Sequence, residues 1–260
     1  SVLQALASAR TRALADASGG RTTPGLALRS VESHHVTQRK VSSRKPRNPH
    51  CSQLLSQAHH QKNAIDATGM ELSRSTAKAK RACADKGYVA DPFASLLCEG
   101  DAAGDPLLHR GYYARHRAVD AALRSFVRLH PRGQIVALGA GLDGSFWRLK
   151  ATGCECAYFE VDSDLVVAEK QRLIRNHPIL IEAVGQYAAG VSGAEDDRGA
   201  YRLMGGDLRD MSTVALALER EGLDATKPTL VLCECVLAYL DSDRGDSVIA
   251  WARATFVDVF

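Results

Sequence analysis

Residues 1 to 65 and residues 66 to 260 differ in how their apolar positions are spaced. The first segment shows little periodicity, holds no aromatic residue and is broken by Pro24, Pro46 and Pro49. It reads as a largely disordered leader, with too little apolar content to offset the entropy of ordering. The second segment alternates helical spacing with short apolar runs. Ser75 to Lys86 has helical periodicity and stops at Gly87, and Asp91-Pro92 supplies a cap and first-turn pair for a second helix. After a loop from Asp101 to Pro106, a longer helix opens at His109, with Val119, Ala122, Leu123, Phe126 and Val127 at helical spacing and a stop at Pro131-Arg-Gly133.

Four apolar runs follow, at Gln134 to Leu138, Cys156 to Asp162, Tyr201 to Leu208 and Thr229 to Leu237, and helical segments separate them. This order predicts a doubly wound α/β domain with a parallel sheet, covered by the earlier helices as an N-terminal cap. The nearly continuous run at 229 to 237 is typical of a central strand buried on both faces. It is also the last of the four, so the domain over residues 66 to 260 is expected to be truncated at its C-terminus, with that strand left as an exposed apolar edge.

The first run passes straight into Gly139-Ala-Gly141-Leu-Asp-Gly144. A glycine turn of this kind lets backbone N–H groups approach a ligand closely, at the mouth of a helix whose positive end favours anions. The second run ends in Glu160-Val-Asp162, where a carboxylate can take the hydroxyls of a ribose. On these features alone, a nicotinamide dinucleotide and S-adenosylmethionine stand level as cofactors.

Charge and cysteines refine the picture. The formal charge of +3 hides a leader with ten Lys/Arg against Asp16 and Glu32, a net +8, which leaves −5 for the domain. A leader rich in Arg and Ser and poor in acid fits organelle targeting or a nucleic-acid arm, although an extension with no such role is the default reading. No apolar run approaches the ~18 residues needed to span a membrane, and a cytoplasmic protein is expected. The seven cysteines include two Cys-Glu-Cys triplets, Cys154 to Cys156 and Cys233 to Cys235. Both fall on predicted strands at a spacing unlike that of zinc sites, so buried reduced thiols are expected and no metal.

Six motifs in order resemble the leucine carboxyl methyltransferase family, whose members methyl-esterify the C-terminal leucine of type 2A protein phosphatases, with a sister branch in wybutosine-tRNA synthesis. They are Lys80-Arg81 with Gly87-Tyr88 and Asp91-Pro92; Arg110-Gly-Tyr-Tyr-Ala-Arg115; Leu138-Gly-Ala-Gly-Leu-Asp143 with Phe146-Trp-Arg-Leu149; Tyr158-Phe-Glu-Val-Asp162; Gly206-Asp-Leu-Arg-Asp210; and Cys233-Glu-Cys-Val-Leu-Ala-Tyr239. The resemblance covers roughly residues 66 to 256 and implies a class I S-adenosylmethionine-dependent methyltransferase with a Rossmann-like fold.

Carried over residue by residue, it implies that Lys80 and Arg115 reach the carboxylate end of S-adenosylmethionine and that Gly139 and Gly141 form the backbone cradle. Asp162 is implied for the ribose, Asp207 and Leu208 for the adenine, and Glu234 for the methionine part. Arg115 and Tyr239 are the candidates for orienting the acceptor carboxylate. That acceptor is ionised at neutral pH, since an α-carboxyl titrates near ~3.3 to 3.7, and needs no general base. Lys80 alone reads as a solvated helix charge, whereas Glu234 inside an apolar run is costly to bury unpaired and points to use. The expected reaction is esterification of a phosphatase catalytic subunit by a monomeric enzyme. The alternatives are the tRNA branch, which the basic leader favours, a non-catalytic cofactor-binding remnant, and a nicotinamide-dependent oxidoreductase.

Overall fold

A computed structural model describes residues 49–100, 106–184 and 200–260. The leader expected over residues 1 to 48 lies outside the described residues, whereas residues 49–65 belong to a helix. Helix α1 runs Pro49–Asp85, so the boundary expected at 65 falls inside it. From His50 to Thr68 the chain has no glycine or proline and is rich in Gln, Ala and Leu, and this local propensity outweighs the lack of an apolar stripe. Helix α2, Pro106–Leu129, packs along α1. Between them, Asp91 does cap, its Oδ1 accepting from the Phe93 and Ala94 amides at 3.0 and 3.1 Å, but the following residues form turns rather than the expected helix.

The strands β1 (Gln134–Leu138), β2 (Ala157–Asp162), β3 (Tyr201–Gly205) and β4 (Thr229–Leu232) form one parallel sheet in the order β3-β2-β1-β4. Connecting helices are α3 (Ser145–Lys150), α4 (Asp164–Asn176), α5 (Pro178–Val184) and α6 (Met211–Arg220), with α7 (Ser242–Thr255) after β4. The two faces of the sheet carry two cores, as a doubly wound fold requires. Ile135, Ala137 and Tyr158 pack with Leu123, Phe126, Trp147 and Leu173 on one side. Val136, Leu138, Phe159 and Val161 pack with Val214, Leu218 and Val248 on the other. Among the described residues, no helix is long and apolar enough to cross a membrane.

Two expectations about β4 change. The strand ends at Leu232 rather than Leu237, because Cys235 adopts φ 58° and turns the chain into a 3-10 turn at Leu237–Tyr239. Its outer edge is also not bare. The chain returns after α7 in extended conformation, and the Thr229 and Val231 amides donate to Asp258 and Phe260 carbonyls at 3.0 and 3.1 Å, with the Phe260 amide donating back to Thr229. The bridge is parallel, Thr229 opposite Val259, so backbone pairing continues past β4.

Candidate active site

A cavity of about 520 Å³ opens at the C-terminal ends of β1, β2 and β4, under α1 and α2. This is the crevice where doubly wound sheets take ligands, and its size suits a small organic cofactor. Its floor is the glycine turn. Gly139 and Gly141 hold φ 67° and 56°, in the left-handed region, and a Cβ at Gly139 would lie 2.5 Å from the Val236 side chain. The turn's amides are already used. Gly139 and Ala140 donate to the Val161 carbonyl at 2.8 and 3.2 Å, and Gly141 donates to Asp162 Oδ2 at 2.7 Å. The mouth of α3 is occupied as well, since Asp143 Oδ2 accepts from the Ser145 amide at 2.7 Å. The anion site expected at this helix is therefore filled by the chain's own carboxylate.

Asp143 belongs to an ionic cluster that joins four elements. Lys80, on α1, donates to Asp143 at 2.6 Å and to Glu234 at 3.1 Å. Arg115, on α2, donates through Nε to Glu234 at 2.8 Å and through Nη1 to the Cys235 sulfur at 3.1 Å, with its guanidinium 4.6 Å from the Tyr112 ring centre. Burial draws the Lys80 pKa down, but Asp143 and Glu234 outweigh it and hold the ammonium above its ordinary value. Burial likewise opposes ionisation of Asp143, yet Lys80 and Arg148 hold its carboxyl well below the usual carboxylate range. Asp162 differs. Burial dominates there and raises its pKa, against the Gly141 and Ser163 amides that donate to its carboxylate.

Of the residues expected from sequence, Lys80, Arg115, Gly139, Gly141, Asp162, Glu234 and Tyr239 all line this one cavity. Tyr239 stands at the mouth, 67% exposed, on the 3-10 turn that Cys235 initiates. Asp207 and Leu208 do not line it. Asp207 faces Arg209 in a paired contact at 2.6 Å, and Leu208 is buried with Met211 and Val214 in the core across the sheet. Sequence reasoning gave no role to Asp143, Tyr112 or Glu160, which also line the cavity. Asp143 stands two residues after Gly141, and Tyr112 precedes Arg115 by one helical turn. Glu160 sits deeper, its Oε2 accepting from Lys170 at 2.5 Å and from the Tyr201 hydroxyl at 2.6 Å.

The two Cys-Glu-Cys triplets part company. Cys154 and Cys156 are buried ahead of β2, whereas Cys233 is half-buried and Cys235 exposed beyond β4, against the expectation of buried thiols on strands. Cys83, Cys98, Cys154, Cys156, Cys233 and Cys235 are free thiols.

Residues 56–253 match the family described as leucine carboxyl methyltransferase. The chain is 41% identical over 199 residues to tRNA wybutosine-synthesizing protein 4 of Rattus norvegicus, covering 73% of this chain and 29% of that protein. It is 32% identical over 184 residues to leucine carboxyl methyltransferase 1 of the same organism, covering 68% and 55%, and 28% identical over 206 residues to a homolog of that enzyme in Arabidopsis thaliana, covering 78% and 61%. The chain thus spans less than two thirds of each of these relatives. With a family match over most of its length, this chain belongs to the leucine carboxyl methyltransferase family.

Proposed function

We propose that the cavity holds S-adenosylmethionine and that the chain carries the cofactor site of a carboxyl O-methyltransferase. The observation that carries this reading is Asp143, whose carboxylate sits on the N-terminus of α3 while the Gly139, Ala140 and Gly141 amides are spent within the protein. A dinucleotide pyrophosphate needs that helix end and those amides. A carboxylate held ionised there repels it and attracts a cationic ligand. Setting aside Glu160, which Lys170 neutralises, the wall has Asp143, Asp162 and Glu234 against Lys80 and Arg115. S-adenosylmethionine would supply a methyl group activated by a sulfonium.

The chain's residues bind and orient. Asp162 spends one lone pair of each oxygen on backbone amides, at 2.7 Å both, and keeps the others for ribose hydroxyls. Lys80 has three donors and two carboxylate partners, so one remains for a ligand carboxylate. Glu234 holds both cations and faces the ammonium end. Arg115 and Tyr239, at the wall and mouth of the cavity, orient the acceptor carboxylate, which is already a nucleophile at neutral pH. Positioning alone is worth about 7 to 11 kcal/mol when the reacting atoms are held ~3 to 3.5 Å apart. The adenine roles of Asp207 and Leu208 rest on the family resemblance alone.

The acceptor we favour is a carboxylate on a modified tRNA base, because identity to the wybutosine-synthesizing relative is 41% against 32% for leucine carboxyl methyltransferase 1. A second reading, the C-terminal leucine of a phosphatase catalytic subunit, is supported by the family description itself. Calorimetry tests the cofactor, and tight binding of NAD with none of S-adenosylmethionine overturns the proposal. Base-labile label transferred from S-adenosylmethionine to hypomodified tRNA, but not to the phosphatase subunit, supports the first acceptor, and the reverse pattern supports the second.

A further inference from the structure

Helix α2 has two faces with opposite tasks. Leu123 and Phe126 face the core, and Tyr112 and Arg115 face the cavity. Arg110, Arg117, Arg124 and Arg128 are exposed, and at ~100° per residue they fall within about 40° of one another, on the side opposite Phe126. At ~1.5 Å per residue the row is about 27 Å long, and the exposed Ala114 and Ala121 between the arginines keep it open.

Stability of the helix does not account for this row. Exposed helix faces ordinarily place acids three or four residues from basic side chains, and like charges at that spacing cost stability. On α2, Asp120 is the sole acid, and it takes Arg124 at 2.7 Å. Among the described residues, Arg110 and Arg117 have no ion pair, and Arg128 has only Ser125 Oγ at 3.4 Å. Arg124 and Arg128 repel one another. The whole domain carries −5, so the row is not a local sample of a basic protein.

We infer that this outer arginine row of α2 is a docking track for the sugar-phosphate backbone of RNA, an inference that rests on the tRNA reading of the acceptor. Arginine offers a planar fork that matches a phosphate, and a duplex carries a charge every ~1.7 Å of axis over its two strands, so a basic row of this length can meet several backbone phosphates where the strands cross it. Because the same helix carries Tyr112 and Arg115, RNA on the row lies within about one helix diameter, ~10 to 12 Å, of the cavity wall.

The test uses the full chain, the triple variant Arg110→Gln/Arg117→Gln/Arg128→Gln, and the corresponding Arg→Lys set. Binding of a fluorescent RNA hairpin of roughly 16 base pairs is followed against salt concentration. Three lost phosphate contacts should reduce the slope of log affinity against log salt by about 2 to 3 and weaken binding at least tenfold at low salt, while the lysine set keeps most of the slope. Melting temperature and S-adenosylmethionine affinity of all three should agree, because these side chains face away from core and cavity. Equal RNA binding by the glutamine variant overturns the inference, as does a chain that binds no RNA, or one that binds phosphatidylserine vesicles but not RNA. Turnover is not read, so failure of methyl transfer to tRNA is scored separately from failure of the track.

Discussion

Replacing Gly139 by alanine tests how the floor of the cavity is built. Two costs are separable. The left-handed φ of 67° costs a residue with a Cβ about 1 to 2 kcal/mol. The new methyl would also lie 2.5 and 2.8 Å from Val236 Cγ2 and Cβ, and because valine is short and branched it cannot swing aside, so overpacking adds about 1 to 3 kcal/mol. Gly139→Ala should thus lose about 2 to 5 kcal/mol of stability by urea unfolding. Gly141→Ala should lose only the conformational part, since its Cβ would meet Ser73 Oγ at 3.3 Å and nothing nearer. Val236→Ala in the Gly139→Ala background should restore the steric part alone. Function should follow, because Val236 sits two residues after Glu234, and displacing it moves the carboxylate that holds Lys80 and Arg115. Calorimetric affinity for S-adenosylmethionine should fall in Gly139→Ala and recover in the double variant. If the two substitutions add within ~0.5 kcal/mol, the contact is not what fixes glycine at 139.

Glu234→Ala removes a shared acceptor from two cations, and at about 1.5 to 3 kcal/mol for hydrogen bonds to charged groups the cofactor dissociation constant should rise about tenfold to a hundredfold; an unchanged constant sinks its role as hub. Asp91→Ala leaves the Arg148 guanidinium, 4% exposed and 2.7 Å from it, without its main partner, so stability should drop by about 3 to 5 kcal/mol in urea, with Arg148→Met in the same chain recovering part of the loss. Burial raises the Asp162 pKa above the ordinary ~3.9, so its ionised form is lost early on acidification. Cofactor affinity should fall as pH drops through that raised value, and an acid limb that survives in Asp162→Asn assigns it elsewhere. Asp143 has the opposite sign: its depressed pKa contributes stability that is fully present above ~3.9 and is lost only as pH falls through the folded value, an acid dependence that Asp143→Asn should reduce.

The strands, their succession along the chain and the parallel sheet were legible because burial on both faces writes continuous apolar runs into β1 and β2, whereas β4, read as a central strand, is fully buried only at Thr229 and lies last in the order β3-β2-β1-β4. The ends of elements were less so. The run from Thr229 to Leu237 reads as one strand, but a single left-handed residue, Cys235, ends it early, and Cys carries no signal for positive φ. Asp91 was read correctly as a cap, yet its Oδ2 is bound by Arg148 from a distant helix, and the turn does not propagate. The start of α1 was missed because composition over 65 residues masked a shorter stretch free of helix breakers.

The site shows why a residue's chemistry and its partner are read with different success. Glu234 was singled out on the cost of burying a carboxylate, and that argument needs only the sequence around it. What offsets the cost does not lie nearby: Lys80 and Arg115 stand 154 and 119 residues earlier, on helices that reach the sheet from outside. Asp143 was passed over for the complementary reason. It lies in a polar turn where an acid costs nothing locally, and its importance comes from Lys80 and from the helix end it occupies. Together these four charges line the cavity with two cations and two anions, each cation holding an anion from a different element. A ligand that brought only negative charge would find one spare donor, on Lys80, beside two carboxylates that repel it. One that carries both signs can add to the cluster without dismantling it, using the spare donor of Lys80 and the free lone pairs of Asp143 and Glu234. On the proposed function, the preference for a zwitterionic, cationic cofactor would be set by the protein's own internal ion pairs before any ligand arrives.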